Sequence, residues 1–137
     1  MAALVLPDAV QLVRDGLLAD PDVTALVSTR VLSQLPASPT YPCVIVYRFG
    51  GVPPVREWLD QARLQLDCWA TDDVNASLVA RTVRAAAHNL EGYTHPTLGC
   101  IAGVDDAEGP RWGEDDTSVT YTGTPRYLVT LLVSTHP

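Results

Sequence analysis

The residues best suited to chemistry lie between Leu66 and Leu90, where LDCWATDDVNASLVARTVRAAAHNL gathers Cys68, Asp72, Asp73 and His88. A thiol beside two carboxylates at the start of a helix could be a nucleophile or help to hold a metal ion. A metal would need further ligands, and the first turn adds only Asn75 and Ser77. A helix that begins two or three residues after a strand needs its free N–H groups capped and the positive end of its dipole balanced. Thr71, Asp72 and Asp73 supply both. The acid pair therefore reads as a joint between strand and helix.

The other candidates read the same way. Cys43, Cys68 and Cys100 are odd in number, widely spaced and set among apolar residues, so they form neither a disulfide framework nor a CxxC pair, and three buried thiols are expected. Asp105, Asp106, Glu108, Glu114, Asp115 and Asp116 do not follow the ligand register of a calcium loop and read as a solvated segment. His88 lacks a Cys or Asp partner at helical spacing, His95 precedes Pro96 in a turn, and His136 lies near the tail. Nucleophile elbow, phosphate-cradling glycine loop and HExxH are all missing from the sequence. The expectation is a protein that is not an enzyme, with no cofactor and no metal.

Composition narrows the class further. The 137 residues, 47% hydrophobic, suffice for one domain with a real core, taken as 1–137. A formal charge of −7 argues against gripping phosphate backbones, which needs clustered cations. All nine basic residues are arginine, as a GC-rich coding sequence favours. The start, MAALVLPDAVQLVRDG, has no basic n-region, and no apolar run approaches the roughly 20 residues that span a bilayer. A soluble protein made in the cytoplasm, without membrane contact, is expected.

The elements follow from periodicity. Val10, Val13 and Leu17 mark a helix over Pro7 to Leu18, and Asp20-Pro21-Asp22 starts a one-turn helix over Val23 to Val27. Cys43 to Phe49 is a strand whose Val-Ile-Val run implies burial on both faces. Arg63 to Ala70 alternates: Leu64, Leu66 and Cys68 face the core, while Arg63, Gln65, Asp67 and Trp69 face solvent or a partner. The two strands pair as a hairpin with a long loop. A helix from about Asp73 to Leu90 carries Val79, Val83, Ala86 and Leu90 on one stripe, and Gly92 closes it. Strands over Thr97 to Val104 and Arg126 to Thr135 flank DDAEGPRWGEDDTSVTYTGTP, a long loop or extended hairpin arm. It has too little apolar surface to order itself, so Asp105 to Thr124 is expected to be mobile until a partner orders it. The fold class is α+β: a mainly antiparallel sheet with helices on one side and long arms.

Large aromatics on such arms suit subunit contacts. The expected partner-contact residues are Arg56 and Trp58 on one arm, Trp112, Asp115 and Asp116 on the other, and Trp69 on the sheet. Trp69 either lies under a helix or faces another subunit.

From about Pro21 to Ser134 the sequence resembles the tail terminator (tail completion) proteins of long-tailed bacteriophages. The resemblance rests on DPDVTALVSTRV, YPCVIVYRFGG, EWLDQARLQLDCWATDD with an Ala-rich helix ending LEGY, and WGEDDTSVTYTGTPRYLVTLLVS, in that order and at these separations. It implies a structural virion protein at the head-proximal end of the tail. Such a protein is a homo-oligomer, typically a hexameric ring, that sits on the last ring of the major tail (tube) protein, ends tube growth and offers a face to the head-completion or connector protein. DNA passes through its lumen only transiently, helped by the acidic balance. No catalytic residue is carried over. The competing readings are a head-tail connector (neck adaptor) protein and, further off, a small bacterial ligand-binding α+β domain.

Overall fold

The computed structural model describes residues 4–56, 58–113 and 124–137, with the backbone alone at 52–56. In chain order the elements are α1 (Ala9–Leu18), α2 (Pro21–Val27), β1 (Val31–Leu32), β2 (Cys43–Arg56), β3 (Leu59–Trp69), α3 (Asp73–His88), β4 (Thr94–His95), β5 (Gly99–Trp112) and β6 (Arg126–His136). The six strands form one sheet in the order β1-β2-β3-β6-β5-β4. Among the described residues only β1 and β2 run parallel, and the other pairings are antiparallel.

Each helix begins on an aspartate. Asp8 accepts from the N–H groups of Val10 and Gln11, Asp20 from those of Asp22 and Val23, and Asp72 from that of Asn75 at 2.7 Å. Asp72 also takes the Asn75 side-chain amide at 2.8 Å, so the strand-to-helix joint is built as its residue types dictate. Pro21 sits in the first turn of α2, where its missing N–H costs nothing.

Alternation along the strands decides which face the helices cover. Val44 and Val46 of β2, Leu64, Leu66 and Cys68 of β3, Val129, Leu131 and Val133 of β6, and Ile101 and Val104 of β5 join one core with Leu12, Val13 and Leu17 of α1, Val23 and Val27 of α2, and Val79 and Val83 of α3. A slip of one residue in β3 would bury Arg63 and Gln65 instead, which fixes the register. Gly16 lets α1 close on the end of α3: a Cβ there would stand 2.6 Å from a methyl of Leu90.

Several expectations change in detail. Burial of β2 on both faces ends at Val46, since Tyr47 is half-buried and Phe49 is 48% exposed. The expected long loop after it is strand: β2 runs to Arg56 and β3 starts at Leu59, and these two residues pair. Of the two alternatives for Asp105 to Trp112, the extended hairpin arm holds and the loop does not, because β5 continues to Trp112 against β6; this half of the arm has its backbone pairing within the subunit. Residues 114–123, with Asp115 and Asp116, lie outside the described residues. Cys43 and Cys68 are buried, but Cys100 is only partly so, next to the edge strand β4. The short strands β1 and β4 went unanticipated.

Candidate partner-binding surface

With all three helices on one side, the opposite face of the sheet carries the polar half of the alternation. The register sets its side chains in rows: Cys43, Trp69 and Arg126; Ile45, Asp67, Leu128 and Arg111; Tyr47, Gln65, Thr130 and Glu108. Trp69 therefore has no helix over it. The Arg126 guanidinium lies 5.2 Å from its ring centre and the Tyr41 ring 6.4 Å away, and its indole N–H has no acceptor among the described residues.

In the middle row Asp67 is 7% exposed. Its carboxylate accepts from the Gln65 amide at 2.8 Å and lies 3.6 Å from an Arg126 nitrogen. Burial pushes its pKa above the usual carboxylate range, against the opposing pull of the Gln65 hydrogen bond and of Arg126 and Arg111. Arg111 reaches Glu108 at 3.0 Å, but its Nε is not in hydrogen-bonding geometry with any acceptor among the described residues, and neither is that of Arg126. Next to this row, Phe49, Arg63, Gln65, Glu108, Arg111 and Thr130 enclose a hollow of about 190 Å³. The Arg63 guanidinium stands over the Phe49 ring at 5.8 Å.

The expected contact residues do not converge on one site. Trp69 and Trp112 lie at one end of the sheet, on opposite faces. Trp69 pairs with Arg126 on the open face, while Trp112 pairs with Tyr127 on the helix side. The Trp112 ring meets the Tyr127 ring edge-on at 5.5 Å and stays 45% exposed. Trp58 is at the other end, in the β2–β3 turn, edge-on to His136 at 6.0 Å and 48% exposed. Ten residues of β3 separate the ends, about 33 Å at strand spacing. Arg56 shares the Trp58 end through its backbone pairing with Leu59. Nothing in the local sequence marks Phe49 or Arg111 as surface-site residues, whereas the period-two pattern of β3 puts Arg63 on this face.

The histidines tie elements together. His95 Nε2 is 2.9 Å from Asp15 of α1. Asp106 of β5 receives Arg84 and, at 2.8 Å, His88 of α3, and the Arg84 hydrogen bond holds its carboxyl below the usual range. Arg48 grips the buried Asp60 through two nitrogens at 2.6 and 3.0 Å. On the helix side, Asp20, Asp22, Leu26, Leu78, Arg81 and neighbouring α3 residues line a groove of about 450 Å³. Among the described residues no group of three or more His, Cys, Asp or Glu could hold a metal ion, and no helix is long and apolar enough to cross a membrane.

One helix-covered face, one open face and aromatics spread over distant corners define a subunit built for assembly. Residues 11–98, well over half of the chain, match the family of tail completion protein gp17, and the chain belongs to that family. It is accordingly a structural protein of the phage tail and a virion component, not an enzyme. A solved structure described as the virion of a native gene transfer agent (GTA) particle holds a chain of the same fold. The two superpose with a TM-score of 0.65, covering 94% of this chain and 95% of that one, at 16% identity. No curated protein matches.

Proposed function

We propose that this protein is the tail terminator: a closed ring, hexameric in the simplest case, that caps the tail tube, ends its polymerisation and offers the surface to which the head-completion or connector protein binds. The observation that carries the reading is the tail-completion match from α1 to the turn before β5. Physics supplies the need. A tube of identical subunits repeats a heterologous interface and has no intrinsic end, so a different protein must bind its tip through one face and present another outward. A sheet with helices on one side only gives each subunit two unlike faces. The charge of −7 suits a lumen through which DNA slides without sticking. Neither a membrane nor a cofactor enters this reading.

Deleting the gene from its phage tests it. Heads without attached tails, together with tubes that are abnormally long or uneven, are expected. Normal tail lengths and infectious particles would dispose of the reading.

A further inference from the structure

Of the exposed charges without a side-chain partner among the described residues, two stand on opposite sides of this subunit. Arg63, exposed on the open face, makes no hydrogen bond or ion pair among the described residues, and its guanidinium rests only over Phe49. Asp22, exposed in the first turn of α2, likewise has no side-chain partner among the described residues. Each belongs to a patch of matching character. Phe49 and Arg63 edge a hollow whose charged members are Arg63, Arg111 and Glu108, an excess of one positive charge. Asp22 edges the α2–α3 groove, whose charged members are Asp20, Asp22 and Arg81, an excess of one negative charge. The groove has an apolar wall in Leu26 and Leu78, and exposed Val74 lies one turn before Leu78 on α3.

A half-exposed aromatic ring carrying a cation complements an apolar groove edged by carboxylates. The sheet lies between the two patches, so one subunit cannot join them, whereas a second copy can. A twofold dimer through the open face would bring like charges together, and one through the helix side would do the same with the acids.

We propose that the Phe49–Arg63 patch of one copy seats in the α2–α3 groove of the next, with Arg63 paired to Asp22. This is a heterologous contact of the kind that repeats around a ring. It rests on the ring reading above and specifies which surfaces make the ring.

The test uses the full chain with single charge reversals, Asp22→Arg and Arg63→Glu. Both positions are exposed, so thermal melting of the free subunit should fall by only a few degrees, the loss being that of a first-turn carboxylate or of the contact with Phe49, and Arg63→Gln is a milder variant at the second. Association is read by native mass spectrometry and sedimentation over a dilution series, with and without purified tail tubes. Each reversal should weaken association about tenfold or more. A 1:1 mixture of the two reversed chains should return to wild-type strength. In an alternating ring, the new carboxylate at position 63 meets the new guanidinium at position 22, and the remaining contact is native. Wild-type rings that survive either reversal, or a mixture that does not recover, would overturn the inference and leave the ring reading intact. Wild-type chain that forms no ring, alone or on tubes, would overturn both.

Discussion

Replacing Trp112 by Ala separates folding from assembly. In the free subunit the indole touches the Tyr127 ring edge-on at 5.5 Å and leaves 45% of its surface to solvent. An edge-to-face pair contributes about 0.5–1.5 kcal/mol beyond area burial, so the substitution should cost the fold roughly 1–2 kcal/mol. In a domain of this size, each kcal/mol lowers the melting temperature by roughly 3–4 °C. As a partner anchor the same ring would contribute about 2 kcal/mol or more to each contact, about thirtyfold in affinity, and a ring multiplies that loss over its interfaces. Denaturant unfolding of the free chain gives the first quantity, and binding to purified tail tubes gives the second. Trp69→Ala is the contrasting substitution. That ring is wedged between Arg126 and Tyr41, so its loss should cost folding about 2–4 kcal/mol. Trp112→Ala protein that binds tubes like wild type, or that loses folding and assembly in equal measure, would refute the anchor role.

Two further outcomes follow from burial. Burial raises the native-state pKa of Asp67 above its unfolded value, so the stability linked to its protonated form is complete below the unfolded pKa and is lost as pH rises through the raised one. Asp67→Asn should therefore stabilise the fold at neutral pH and make little difference below the ordinary aspartate value of about 4, as urea titrations at the two conditions would measure. Native protein treated with a thiol reagent should react first at Cys100. Burial pushes Cys43 to about 11 and raises Cys68 further, so both should label only on unfolding. Fast native labelling of Cys68 would contradict the core assignment.

The sequence was most legible where one physical rule acts alone. Strict alternation along Arg63–Trp69 identified which side chains enter the core, and the Asp-Pro-Asp and Asp-Asp stretches located two helix starts, because capping needs that chemistry locally. It was least legible where tertiary pairing overrides local composition. Asp105–Trp112 contains glycine, proline and three acids, yet it is strand because β6 offers a continuous partner and Asp106 is anchored by Arg84 and His88. The two-residue strands β1 and β4 carry no periodicity to detect. Trp69 and Trp112 were seen as conspicuous, but only the register puts them on opposite faces of the same end. Phe49 and Arg63 stand far apart in sequence, and only the pairing of β2 with β3 brings them together, with Phe49 the extra residue of the bulge between Arg48 and Gly50, opposite Arg63.

The position of β6 has a consequence for how the molecule is made. This strand comes from residues 126–136, yet it lies in the middle of the sheet, pairing with β3 on one side and β5 on the other. Until it arrives, the nascent chain holds the β2–β3 hairpin and β5 as two pieces whose central edges are open and whose core side lacks Val129, Leu131 and Val133. Contacts such as Asp60 with Thr135 span just over half of the chain, a topology that folds slowly because the loop must close before the pairing stabilises it. A ribosome that stalls before Arg126 thus releases no subunit able to enter an assembly, and every copy that does enter one has been translated through its last strand.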